Sequence, residues 1–215
     1  FYNIKVDDRV LFTSQIQGAA GSDLEASLNA AGVVSVQAWI NAGNTKTSGM
    51  DFVLNWKKDD LALGLVGNIN ETTIDSIDTP SELNGVEIFS HKERSLITNS
   101  RPKSKVALTA DYTTDKFEFG LYNTNFGKVT IAHDGNDVSL DQELGSKLVT
   151  DFRLTYKFTP QLRLTGIMNN AFDVYPDVTN VNTGTTGGGR FLYSSQVSQM
   201  GQLGRNYSLA LSYKF

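Results

Sequence analysis

Tyr207-Ser208-Leu209-Ala210-Leu211-Ser212-Tyr213-Lys214-Phe215 decides the fold. Every odd position is aromatic or leucine, and every even one is small or polar. Side chains on an extended strand point alternately to its two faces. This stretch is therefore a strand with one apolar and one polar face. The same period recurs upstream. Phe152, Leu154, Tyr156 and Phe158 alternate with Arg153, Thr155 and Lys157, and Val106, Leu108, Ala110 and Tyr112 with Ala107, Thr109 and Asp111. Phe117, Phe119 and Leu121 repeat it, as do Met50, Phe52, Leu54 and Trp56.

The connections are of two kinds. Short polar stretches at Asp7-Asp8, Lys58-Asp59-Asp60, Thr114-Asp115-Lys116 and Thr159-Pro160-Gln161 have hairpin length. Long ones fall at about 18–36, 75–103, 134–147 and 179–189. Short and long alternate strictly, so an antiparallel meander puts all short turns at one end and all long loops at the other. The pattern predicts about nine strands, near 1–6, 9–17, 36–57, 61–74, 104–114, 117–133, 148–158, 162–178 and 190–215. Helices are predicted in two long loops, over 23–32 and 86–96. The run Gly184–Gly189 reads as a loop tip, not a domain boundary.

Composition removes several classes. The 215 residues contain no cysteine, which excludes disulfide frameworks and cysteine-ligated metals. Nineteen basic against 23 acidic residues argue against a nucleic-acid surface. No stretch approaches the roughly 18 apolar residues of a membrane helix. Two histidines and no cysteine give no nucleophilic catalytic set, and Gly187–Gly189 lead into no lysine motif, so no enzyme is expected.

His133, Asp134, Asn136 and Asp137, with Asp141 nearby, form an oxygen-rich loop that would suit calcium. Their spacing is not that of a calcium-binding hand, and a solvated turn is the preferred reading. No cofactor is expected. Trp39, Phe89, Arg94, Arg190, Phe191 and Tyr193 lie in or near the long loops. Such residues suit ligand contact, although packing between loops is the preferred reading.

A one-sided apolar strand fits a soluble sandwich or an outer-membrane barrel whose apolar face meets lipid. Two features favour lipid. Trp56, Tyr112, Phe117, Tyr156, Phe158, Tyr213 and Phe215 sit beside the short turns, where an interfacial girdle belongs. Short turns at one end and long loops at the other match the periplasmic and extracellular sides of such barrels. Several strands exceed the ~9–11 residues that span a bilayer, and bacterial single-chain barrels have even strand numbers. The chain opens mid-pattern at Phe1, with no leader. The expectation is the C-terminal part of a larger barrel. A small stand-alone barrel acting as porin or adhesin, and a soluble β-sandwich binding module, remain alternatives.

Four stretches resemble the TonB-dependent outer-membrane receptors. Gly204–Phe215 is similar to their terminal strand. Asn169-Asn170-Ala171-Phe172-Asp173-Val174-Tyr175-Pro176-Asp177 resembles their penultimate "NNLFDxxYxD" stretch, with Ala171 for leucine. Asn44–Asp51, ending Gly49-Met50-Asp51, resembles another strand motif, and Ser100-Arg101-Pro102-Lys103-Ser104-Lys105 a strand entry, without the usual His or Asn. The texture resembles receptors of Bacteroidetes-type bacteria.

The resemblance implies a 22-stranded barrel filled by a plug. It implies TonB-dependent import of a scarce solute of iron-siderophore, cobalamin or glycan type across the bacterial outer membrane. This chain would then supply residues 1–215 of the barrel without the plug domain, so TonB would act through a plug outside it. Implied partners are outer-membrane lipids, the remaining strands and plug, and in some members a surface lipoprotein. The barrel-assembly machinery would read Tyr207, Leu209, Leu211, Tyr213 and Phe215. Asp51, Asn55, Glu118 and Arg153 would face the lumen.

Overall fold

A computed structural model describes residues 1–83, 85–135, 137–180 and 190–215. The strands are β1 (Tyr2–Phe12), β2 (Trp39–Lys58), β3 (Leu61–Ile77), β4 (Ser104–Thr113), β5 (Phe117–Phe126), β6 (Val129–Ile131), β7 (Gln142–Leu144), β8 (Lys147–Lys157), β9 (Leu162–Asn169) and β10 (Asn206–Tyr213). The helices are α1 (Asp23–Ala30) and α2 (His91–Thr98). Eight strands make one sheet in the order β1-β2-β3-β4-β5-β8-β9-β10, and β6 and β7 form a separate hairpin. The predicted antiparallel meander is what forms. β1 and β10 stand at opposite ends of the sheet and do not pair with each other.

The register assigns the faces. One ladder runs Trp56, Leu63, Ala110, Leu121, Phe152, Met168, Tyr207 across seven strands. The adjacent ladder, pointing the other way, runs Lys57, Ala62, Asp111, Gly120, Arg153, Ile167, Ser208. The first is apolar throughout, and the second is mostly polar or small. Leu54, Leu154, Leu209 and Leu211 extend the apolar face and are all exposed. So large an apolar surface left open to water would be an aggregation site, whereas lipid covers it at no cost. Phe52 lies over Gly67 on its cross-strand partner, where a β-carbon would collide with the ring.

The aromatic girdle is present at the turn end. Phe117 and Tyr156 pack at 5.0 Å between ring centroids, Tyr156 and Phe158 at 4.7 Å, and Tyr213 and Phe215 at 5.1 Å. The turns below them are tight. Asp59 takes a left-handed φ of 48°, so that Lys58 can pair directly with Leu61. Thr114 Oγ1 accepts from Phe117 N (3.0 Å), and Thr159 Oγ1 from Leu162 N (3.0 Å).

Several boundaries differ from expectation. Asp7-Asp8 is a bulge, not a turn, so the first two predicted strands are one strand. Asp8 has φ 53°, and its amide is held by Asn44 Oδ1 at 3.0 Å. The β1–β2 register shifts between Val6 and Arg9 and again between Arg9 and Val10, and the β2–β3 register shifts between Asn44 and Thr45. Three strands thus bend at one level of the wall. The last predicted strand shrinks from 190–215 to β10, and 162–178 shrinks to β9, because 170–180 and 190–205 fold as loop. The 117–133 strand breaks at Gly127, after which β6 turns away. The 86–96 helix starts later, after Ser90. The first helix forms nearly as expected, capped by Ser22, whose Oγ accepts from Glu25 N at 3.1 Å.

Candidate functional site

The sheet positions two surfaces on its non-lipid side, a polar inner wall and a cap of loops above it. On the wall, Arg153 Nη2 donates to Asp111 Oδ1 at 2.9 Å, and Tyr122 Oη donates to the same oxygen at 2.7 Å. The guanidinium carbon stands 5.8 Å from the centre of the Tyr122 ring. Glu118 pairs with Lys157 at 3.1 Å. Asn68 Nδ2 donates to Asp51 Oδ1 at 2.5 Å and to Tyr2 Oη at 3.1 Å. Gly49 makes room for the Tyr2 ring, which a β-carbon there would strike. Asp51, Asn55, Glu118 and Arg153 therefore share the inner face. This surface can hold a polar partner by hydrogen bonds, and it carries no catalytic constellation.

The stretch Asn169–Asp177 folds as the corner where β9 leaves the wall. Asn170 is buried in the left-handed region at φ 51°, a conformation that asparagine tolerates better than most residues. Its amide donates to Asp151 Oδ1 at 2.7 Å. Its side chain closes a ring with Val174, donating to Val174 O (2.7 Å) and accepting from Val174 N (2.9 Å). Asp173, at φ 57°, accepts from Arg205 N at 2.8 Å, and Asn169 Nδ2 donates to Asn206 Oδ1 at 2.9 Å. The corner thus ties β9 to the start of β10. Phe172 is exposed beside it. Tyr175 lies against Asp173, and that hydrogen bond raises its phenol above the usual tyrosine range. Asp177 accepts from Gly145 N at 2.7 Å and from Lys147 Nζ. The lysine hydrogen bond holds its carboxyl below the ordinary range, against the opposing effect of burial.

The candidate loop residues are dispersed. Phe89 is 1% exposed and belongs to a loop core with Leu11, Ile16, Ala42 and Ile88. Arg94 Nε donates to Phe89 O at 3.1 Å. Trp39 is exposed and packs on Phe12 at 4.8 Å. Arg190 and Phe191 are exposed, while Tyr193 stacks parallel to Tyr175 at 6.1 Å. These six do not converge on one pocket.

The oxygen-rich loop is occupied by its own contacts. His133 Nδ1 accepts from Gly135 N, Asp134 pairs with Lys92 at 2.7 Å, and Asp137 caps a short turn through Ser139. The Ser139 hydroxyl is the main reason the Asp137 carboxyl is held below its ordinary range. Among the described residues no three histidine, aspartate or glutamate side chains gather as a metal site. Asn136 and Gly184–Gly189 lie outside the described residues.

Sequence reasoning missed Gln199. It is buried, and its Nε2 lies within hydrogen-bond distance of Gly127 O (2.8 Å), Leu144 O (3.2 Å) and Gly145 O (2.7 Å). It also missed the pairing of His91 Nε2 with Asp141 at 2.7 Å, which joins residues 50 apart. Neither leaves a local signal, since both join distant segments.

An open antiparallel wall, apolar outside and polar inside, with tight turns below and long loops above, is part of an outer-membrane β-barrel. The family model for the β-barrel of TonB-dependent receptor-like proteins matches residues 1–171, and the chain belongs to that family. Solved structures agree on the fold. The FrpB iron transporter from Neisseria meningitidis, in its apoprotein form, superposes with a TM-score of 0.62 at 14% identity, over 98% of this chain and 27% of that one. A mutant of the ferric enterobactin receptor PfeA from Pseudomonas aeruginosa gives 0.60 at 13% identity, over 99% and 28%. The ferric yersiniabactin uptake receptor FyuA from Yersinia pestis gives 0.54 at 14%, over 83% and 25%. The chain spans about a quarter of the length of each. A search by sequence among curated proteins finds no match.

Proposed function

We propose that residues 1–215 supply the C-terminal part of the barrel of a TonB-dependent importer. The paired ladders carry this reading, one apolar toward lipid and one polar toward the lumen. The inner-wall groups around Arg153, Glu118 and Asp51 hydrogen-bond a plug supplied elsewhere in the receptor, through which TonB acts. The solute is scarce and of iron-siderophore, cobalamin or glycan type. The three structural relatives are described as iron or ferric-siderophore receptors, which favours the first. A surface lipoprotein is a further candidate partner. Tyr207, Leu209, Leu211, Tyr213 and Phe215 act as the signal for the barrel-assembly machinery, by strand addition through main-chain hydrogen bonds. β10 keeps one edge unpaired within this sheet, as that mode requires.

The test is uptake. Cells carrying the full receptor, and cells lacking it, are fed radiolabelled iron on a panel of siderophores, then cyanocobalamin and labelled oligosaccharides, with and without TonB. Receptor-dependent and TonB-dependent uptake of one class supports the proposal. Passive, TonB-independent leakage of many small solutes would replace it with a porin.

A further inference from the structure

We infer that the described residues of the loops above this wall are locked into one rigid cap, with helix α2 as its keystone, so that they present a fixed surface and do not open as separate flaps. This holds whatever solute is carried. The observations are of three independent kinds.

The first is apolar. The cap has two cores, one built on Leu11, Ile16, Ile88 and Phe89 and the other on Val129, Ile131, Leu144 and Val197. Two consecutive residues of α2 serve both, for Ile97 packs against the first and Leu96 against the second. Moving α2 opens both cores at once.

The second is polar. α2 is pinned to the 127–146 loop by His91 to Asp141 (2.7 Å) and by Lys92 to Asp134 (2.7 Å). Gln199 then fastens the last loop to the same region through Gly127 O and Gly145 O. The third kind is made by backbone amides. Ser14 N donates to Ile88 O (3.0 Å), joining the first loop to the second. Thr130 N donates to Asn99 O (3.0 Å), joining the second to the third. Gly145 N donates to Asp177 Oδ2 (2.7 Å), joining the third to the fourth.

Every loop is thus bonded to the next, and a helix spans the middle. A segment opens alone only if its opening leaves its neighbours' contacts intact. Here any one loop takes its partner's buried groups with it. A solute therefore meets a preformed surface and does not have to order these loops on binding.

Hydrogen exchange on the full receptor in detergent micelles tests this. The amides of Ser14, Thr130 and Gly145 each report one junction. Protection of all three within about tenfold of one another is expected, because one opening governs them. Gln199→Leu should lower all three together, by about tenfold or more, although Ser14 is remote from the substitution. A spread wider than tenfold in the unaltered receptor, or a fall confined to Thr130 and Gly145, would overturn the inference. Amides of β4 and β5 report whether the variant has folded. If it has not, the unaltered receptor decides alone.

Discussion

Arg153 reaches Asp111 across an intervening strand because the residue between them is Gly120. Asp111 pairs with Gly120, and Gly120 with Arg153. The 2.9 Å contact therefore crosses β5 where no side chain stands in the way. Tyr122 leans into the same space, its Oη 2.6 Å from where a β-carbon of residue 120 would be. The inner wall is built around this gap, and the buried Arg153 Nε is left without a hydrogen-bond partner among the described residues.

Filling that gap should be disruptive. Gly120→Leu displaces Tyr122 and separates Arg153 from Asp111, an overpacking defect of about 1–3 kcal/mol. Urea unfolding of the receptor in micelles should show the loss, whereas Thr124→Leu, on the same face of β5 four residues further along, should cost less.

The corner at Asn170 separates two contributions. Asn170→Gly keeps the left-handed backbone but loses the bonds to Val174, at about 1 kcal/mol each. Asn170→Ala loses them and adds about 1 kcal/mol or more of backbone strain. Limited proteolysis between 171 and 205 should therefore speed up in the order Asn, Gly, Ala. Equal rates for glycine and alanine would mean that φ 51° is not held.

Acid should loosen the last loop through Asp177. Its folded pKa is depressed by Lys147, so its contribution is full above the unfolded aspartate value of about 4 and is lost as pH falls through the lower folded value. Exchange of the Gly145 amide, corrected for intrinsic rate, should rise below about pH 4. In Asp177→Asn that rise should vanish.

Charge on the two faces should differ in effect. Leu108→Arg puts a cation on the apolar face about four residues above the aromatic Tyr112, at a cost of about 2–4 kcal/mol if that level is the bilayer midplane. Ala107→Arg, one residue away on the inner face, should cost less than half as much. Refolding into lipid vesicles measures both.

The faces were legible in the sequence because lipid and lumen impose a period of two on every strand, and Tyr207–Phe215 shows it without interruption. The limits of the strands were not. Asp7-Asp8 carries the composition of a turn, yet Asn44 of the neighbouring strand holds Asp8 within a bulge. Phe191, Tyr193 and Val197 alternate as a strand would, yet Val197 is buried in the cap and Tyr193 stacks on Tyr175. The motif around Asn170 was visible as a resemblance, but its work at the corner depends on Asp151 and Arg205, far away in sequence. Gln199 and the His91–Asp141 pair gave no local sign, because their partners are brought near only by the cap.

One face of this wall meets lipid and the other a wet lumen. Single cysteines are introduced one at a time from Lys105 to Tyr112 in a cysteine-free form of the full receptor and given a nitroxide label. Accessibility to oxygen and to a water-soluble nickel chelate is then measured in lipid vesicles. Strict alternation is expected, with oxygen favoured at 106, 108, 110 and 112 and nickel at 105, 107, 109 and 111. Nickel access at every position, or no alternation along the strand, would contradict it.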